Sequence, residues 1–420
     1  MRLRQLTVLV LLSSLAGGAF GQAATGRAAP AAAGAARAQL PWLSAKGTDL
    51  VDPAGRRVVL RGVSLGGWLV EEMWMQPVVT KPPEGSDLPE VRDHVSLDDC
   101  LRRRLGEAGL RRVKSAMRDA WVDESDFDRI KGAGFNHVRV PFLYDLLEEP
   151  SGLAWLDRAI DWAGKRGIYV ILDLHGAPGR QSKDHHTGEA DQNRLFKDPA
   201  HVAHTERIWR EVARRYKGRP EVAGYDLLNE PMGADDVKTL YAVQTRLYRA
   251  VRDVDPRHVI IIEDGYTGLD HVPVPATAGW KNVMASCHHY AFNSKSEQDQ
   301  LKAGRGHIDY MRRAKERLRC PLYLGEFNQE PHGTPQSMAA LTKDLDANGW
   351  SWALWTYKVA FPRGNRSMWG VYRNPAPMDP LDPYRDSEER LLAKCKQLRT
   401  ERLERFPGLI EALSRAQDGK

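Results

Sequence analysis

The chain has 420 residues, 42% of them hydrophobic and 28% charged, which is enough to bury the core of one large α/β domain with insertions. Its formal net charge of +6 is spread along the sequence and interleaved with acids, so the clustered basic stripe of a nucleic-acid binder is excluded. The four cysteines show no metal-ligand spacing, and their pairing, or their survival as buried thiols, stays open.

The chain opens with Met1-Arg2-Leu3-Arg4, an apolar run from Leu6 to Phe20 and small residues to Ala24. This is the pattern of a signal peptide over residues 1–23, and a secreted protein, extracellular or periplasmic, is expected. Residues 24–40 are rich in Ala and Gly and read as a disordered linker. Residues 41–420 read as one domain. A hairpin is expected at Leu50–Leu60, turning at Asp52–Gly55. Val58–Leu65 is the first β-rich run, and it ends in Gly66-Gly67-Trp68. A long insertion follows, from about Glu71 to Met117, with an amphipathic piece at Leu97–Val113. In a barrel, an insertion of this length is usually a rim element.

From there helical and strand patterns alternate. Asp123–Ala133 is a helix with acids in its first turn and Gly134 as a stop. Strands are expected at Asn136–Phe142, Ile168–Leu174, Val222–Leu228, Val259–Ile262, Val283–His288, Leu322–Glu326 and Trp350–Tyr357. Helices are expected at Ala200–Tyr216, around Leu240–Val251 and at Gln336–Asn348. The charged segment Ser387–Gln417 is expected to give the last helix and a cover for the barrel base. Eight β-rich runs separated by helices predict a single (β/α)8 barrel of parallel strands, with the hairpin and the insertion added. A doubly wound sheet would need a Gly-rich phosphate turn after its first strand, and Trp68 blocks one.

Active residues of such a barrel sit at the C-terminal ends of its strands. Those ends carry Glu72, Arg139, Asp173 with His175, Asn229 with Glu230, His288 with Tyr290, Glu326 and Trp355. Two glutamates closing two apolar runs suit glycosidic bond cleavage, which needs one acid and one nucleophile or base. Arg139 is expected to hold Glu326 ionised while Glu230 keeps its proton. Tyr290 would hold the second oxygen of Glu326. Asn229 would bind a sugar hydroxyl, and Trp355 would floor the sugar. Residues two apart share a face, so His288 and Tyr290 point together. Asn229 and Glu230 need a bulge or sharp turn to share one. His185, His186 and His289 read as surface or loop residues, and Glu71 and Glu263 as structural. Trp74 and Trp369 are platforms or packing.

The chain resembles family 5 glycoside hydrolases, and within them the subgroup of exo-β-1,3-glucanases. The matching residues are Arg61 to Val70, Glu72, Gly134 to Pro141, Asp173 to Gly179 with Gln181, Leu228 to Pro231, His288 with Tyr290, Gly325 to Phe327 and Trp352 to Trp355. The resemblance implies a retaining double displacement, with Glu230 as acid/base and Glu326 as nucleophile. It implies substrate contacts at Glu72, Arg139, His175, Asn229, His288, Tyr290 and Trp355, with no metal and no organic cofactor. The expected substrate is a β-glucan or a related polysaccharide; cellulose, mannan, a glycolipid and a sugar-binding barrel without catalysis are the alternatives. A monomer with no obligate membrane partner is expected. The chain departs from that subgroup at Ser182-Lys183-Asp184-His185-His186, where the yeast-like enzymes carry an aromatic.

Overall fold

Eight short strands, nearly all fully buried, close into one parallel barrel: β1 (Arg61–Ser64), β2 (His137–Leu143), β3 (Tyr169–Gly176), β4 (Val222–Asp226), β5 (Val259–Glu263), β6 (Val283–His289), β7 (Leu322–Phe327) and β8 (Ser351–Leu354). Each pairs with its neighbour in sequence, and β8 closes on β1 with Trp352 beside Arg61. This computed structural model describes residues 40–417. The expected signal peptide and all but the last residue of the expected linker lie outside them. Among the described residues, no helix is long and apolar enough to cross a membrane.

The strands are β-branched and apolar because both faces are buried. Val138, Val140, Val170 and Leu172 face the helices and join the main core, while Tyr169, Ile171, Val259, Ile261 and Tyr323 fill the barrel interior near its base. The helices between strands have the expected types. Pro199–Tyr216, Val237–Arg252 and Pro335–Ala347 each begin on a side-chain cap, from Asp198, Asp236 and Thr334.

Three expectations shift. The paired hairpin strands are Ser44–Lys46 and Asp49–Val51. The turn at Asp52–Gly55 also forms, because the Asp52 carboxylate accepts from the backbone N–H groups of Ala54 and Arg56. The first barrel strand begins only at Arg61, and the last ends at Leu354. The base is closed by the N-terminal hairpin rather than by the C-terminal segment. Leu43 and Leu50 join the interior layer, and Tyr169 donates to the carbonyl of Pro41 at 2.8 Å. The C-terminal segment lies outside the barrel. Glu388–Cys395 packs on the insertion helix, and Leu409–Gln417 packs on Pro335–Ala347 as the last helix of the ring.

The insertion forms a helix over His94–Trp121, capped by Asp93 and broken at Gly106, whose φ of 69° is left-handed. Its buried Lys114 pairs with Glu71 at 2.6 Å and Asp98 at 2.7 Å. That fixes the segment leading into Glu72. All four cysteines are buried free thiols.

Candidate active site

At the C-terminal mouth of the barrel lies a cleft of about 360 Å³, lined among others by Glu72, His175, His186, Asn229, Glu230, Glu326 and Trp355. Local backbone irregularities set its geometry. Strand β4 ends at Asp226, and Glu230 adopts a left-handed φ of 40°. The Glu230 N–H donates to Glu263 at 2.7 Å. That turn is what lets Asn229 and Glu230 face the same cavity. Between β6 and β7 the register slips, so Cys287 pairs with Leu324 but His288 pairs with Glu326. Gly325 sits at the slip. A Cβ there would meet the His288 ring at 2.9 Å, so only glycine lets the histidine lie over the strand.

Arg139 is the hub. It is fully buried and reaches Glu326 at 2.6 Å, Asn229 at 2.8 Å, Asp226 at 3.0 Å and Glu263 at 3.1 Å by hydrogen bonds, with Asp173 at 3.2 Å. Tyr290 donates to the other oxygen of Glu326 at 2.8 Å. His288 Nδ1 lies 2.8 Å from Glu230 Oε1 and 3.6 Å from Glu326 Oε2, and its Nε2 lies 3.2 Å from Glu263. One oxygen of Glu230, one of Glu326 and a ring nitrogen of His288 lie within 4.8 Å of one another. Trp355 stacks flat on His175, with planes 5° apart. Glu72 accepts from Trp74 at 2.8 Å.

The expected site residues Glu72, His175, Asn229, Glu230, Tyr290, Glu326 and Trp355 all line the cleft, with Arg139 beneath them and His288 between the two glutamates. Four contributors were not foreseen. Tyr266 donates to Glu230 Oε1 at 2.8 Å from a loop with no strand periodicity. Glu263, read as structural, holds the Glu230 backbone and His288 together. His185 and His186, read as surface residues, line the cleft, with His185 3.2 Å from Glu72 and His186 3.4 Å from Glu230. The signal for them is their place five to six residues beyond Gly179-Arg180, in a polar stretch where the resemblance leads one to expect an aromatic. His175 turns its Nδ1 to Asp173 at 2.7 Å.

The charges are ordered differently from the expectation. Burial raises the Glu230 carboxyl, but the His288 hydrogen bond, His186 and Tyr266 outweigh it and hold Glu230 well below the usual carboxylate range. Burial raises Glu326; His288 and Arg139 pull it down, but the charge of Glu230 adds to burial, and the net shift is upward. Among these side chains alone, Glu230 is therefore the better anion, the reverse of the sequence reading. The reason is that Arg139 divides its charge over Asp173, Asp226, Glu263 and Glu326. His288 is pushed well above its ordinary value: burial opposes this, but Glu263 and Glu326 prevail. Asp226 is pushed up by burial and by Glu263, against the pull of Arg139. Burial lowers His175 and Asp173 draws it up more. The Asn229 amide facing its Nε2 at 3.4 Å needs that nitrogen as an acceptor, so the hydrogen-bond geometry favours the neutral ring with its proton on Nδ1.

The family model of cellulase (glycosyl hydrolase family 5) matches residues 106–360. Among curated relatives, a β-xylosidase of Phanerodontia chrysosporium is 31% identical over 265 residues, covering 60% of this chain and 52% of that one. A glucan 1,3-β-glucosidase of Candida oleophila is 31% identical over 253 residues, covering 55% and 58%. The chain thus spans about half the length of the curated relatives it matches. Among solved structures, the rutinosidase of Aspergillus niger superposes with a TM-score of 0.58 at 15% identity, covering 80% of this chain and 98% of that one. The catalytic domain of a Thermobifida fusca endoglucanase gives 0.51 at 18% identity, covering 85% and 98%. These two likenesses show the barrel fold. Because the family model covers more than half of the sequence, site strands β2 to β7 included, the chain belongs to glycosyl hydrolase family 5.

Proposed function

We propose that this protein is a secreted, monomeric retaining β-glycosidase that hydrolyses β-glucosidic bonds in a glucan. The observation that carries it is the pair Glu230 and Glu326, on opposite sides of one cleft with carboxylate oxygens within 4.8 Å. Retaining enzymes separate their carboxyls by about 5–5.5 Å and inverting ones by about 6.5–9.5 Å. The relatives named glucan 1,3-β-glucosidase support a β-glucan as substrate.

Glu326 attacks the anomeric carbon while Glu230 gives its proton to the leaving glycosidic oxygen. A covalent glycosyl ester forms and the aglycone departs as an alcohol. Glu230 then takes a proton from water, the water oxygen attacks the anomeric carbon, and Glu326 leaves as a carboxylate. The charge of each carboxyl raises the proton affinity of the other, so which of them is protonated follows their surroundings. Positive charge developing at the anomeric carbon favours an ionised Glu326, which moves the proton to Glu230. Once the ester forms, the charge on Glu326 is gone and Glu230 becomes the base. Arg139 and Tyr290 fix the two oxygens of Glu326. Asn229, Glu72 and His175 meet sugar hydroxyls, and Trp355 with Trp74 gives the ring apolar faces.

The test is a product profile on laminarin, pustulan, cellulose and mannan oligomers, with the anomer of the first product read by NMR. β-Configured sugar released from a β-1,3-glucan is the expected result. An α-configured first product would remove the retaining mechanism. A preference for aryl β-xyloside over β-glucoside would move the substrate to a pentoside, as the β-xylosidase relative suggests.

A further inference from the structure

His186 stands out among the cleft residues because its neighbours dictate where its proton lies. It belongs to a short 3-10 turn, His185–Thr187, that the loop after β3 folds back over the cleft. Asn229 is oriented from below. Its Oδ1 accepts from Arg139 Nη2 at 2.8 Å, so its Nδ2 must be the atom that faces His186 Nδ1 at 3.3 Å. An amide NH2 can only donate. His186 Nδ1 is therefore the acceptor, and the ring hydrogen of the neutral imidazole sits on Nε2. That nitrogen lies 3.4 Å from Glu230 Oε2 and 3.5 Å from Ser182 Oγ. Around the ring also lie the edges of His175 and His185, with centroids at 5.6 Å and 6.3 Å, the Asp184 carboxylate at 3.9 Å and the charge of Glu72. Burial favours the neutral form and outweighs the pull of Glu230.

The two oxygens of Glu230 are thus unequal. Oε1 already receives the hydroxyl of Tyr266 and the Nδ1 of His288, each at 2.8 Å. The acid proton must ride on Oε2, beside His186. An imidazole with a bare Nε2 would accept that proton and turn it away from the cleft. An imidazole with Nε2–H cannot, and its N–H dipole faces the carboxylate left behind when the proton departs.

We propose that His186 is a positioning residue for the acid/base: the relay Arg139, Asn229, His186 locks its tautomer, so its Nε2–H faces Glu230 Oε2 at 3.4 Å, cannot take up the acid proton and leaves it aimed at the leaving oxygen. This rests on the glycosidase reading above. Two variants and one measurement on the native chain test it. His186→Phe keeps a ring but has no hydrogen-bonding atom, whereas His186→Gln keeps a donor near the Nε2 position. His186→Phe is expected to lower kcat/KM by about 10- to 100-fold on an oligosaccharide, whose leaving oxygen needs the proton. On a dinitrophenyl β-glucoside, whose leaving group departs unprotonated, the loss should be under about threefold. His186→Gln should restore most of the oligosaccharide activity. Equal losses on both substrates, or a glutamine variant as slow as the phenylalanine one, would overturn the proposal. Independently of activity, 15N-histidine NMR of the full chain at pH 7, with His186 assigned by its loss in His186→Gln, should show a neutral ring protonated at Nε2. A ring protonated at Nδ1 or at both nitrogens refutes the relay. If the native protein cleaves neither glycoside, the glycosidase reading fails, and the NMR result still decides the tautomer.

Discussion

Replacing Arg139 with lysine keeps the charge and removes the fork. The arginine donates to Glu326, Asn229, Asp226 and Glu263 and lies against Asp173. A lysine ammonium has three donors radiating from one point and cannot span that set. At least Asn229 and one carboxylate lose their partner. At about 1.5–3 kcal/mol for each charge-assisted bond, two such losses come to about 3–6 kcal/mol. Part should appear in folding stability, because the carboxylates left behind are buried. The rest should appear in transition-state binding, because Glu326 and Asn229 lose their aim. Urea unfolding measures the first share and kcat/KM on a β-glucan oligosaccharide the second. The sum of the two losses should fall in that range, with wild-type circular dichroism retained. A lysine variant within about 0.5 kcal/mol in stability and twofold in kcat/KM would show that Arg139 does not organise the site.

Glu230→Gln and Glu326→Gln should each cut turnover by about three orders of magnitude or more while urea midpoints stay close to wild type; a fluorinated glycoside trap should label Glu326 and not Glu230 by peptide mass. Burial pushes the Asp264 carboxyl up to about 7. Between its ordinary value and pH 7 the folded chain holds a proton that the unfolded chain has released, so this stability is complete in acid and lost as pH rises through 7. Asp264→Asn should abolish that falling slope, at most about 1.4 kcal/mol per pH unit; an unchanged slope in chemical denaturation would refute the assignment. Lys358 is buried over Trp121, donates to the carbonyl of Leu398 and is pushed down to about 8 by burial. Its unfolded form binds a proton more tightly, so stability should rise between about pH 8 and 10.5. Lys358→Met should flatten that rise in the same denaturation series.

Much of this protein is written in local sequence. Eight apolar β-rich runs, spaced by helical patterns, were sufficient for a closed parallel barrel, because strands buried on both faces admit little else. The strand ends pointed to Glu230, Glu326, His175, His288, Tyr290 and Trp355, since barrel topology carries every strand C-terminus to one mouth; Arg139, expected at the end of its strand, is the third residue of β2 and reaches Glu326 from below. The Arg139–Glu326 and Tyr290–Glu326 contacts could be foreseen for the same reason. What local sequence does not encode is how charges divide once many of them share a low-dielectric space. One arginine beside one glutamate predicts an ionised Glu326. One arginine among Asp173, Asp226, Glu263 and Glu326 does not, and His288 with His186 hands the stronger stabilisation to Glu230. Nor could periodicity reach Tyr266, His185 and His186, which sit on irregular loops whose course depends on packing between distant segments. Where the hairpin docks, how Lys114 anchors the insertion and how the turn carries His186 to the cleft are decided by tertiary contacts. A side chain's neighbours along the chain fix its backbone tendency, but its proton and its partner depend on what the fold brings within 4 Å.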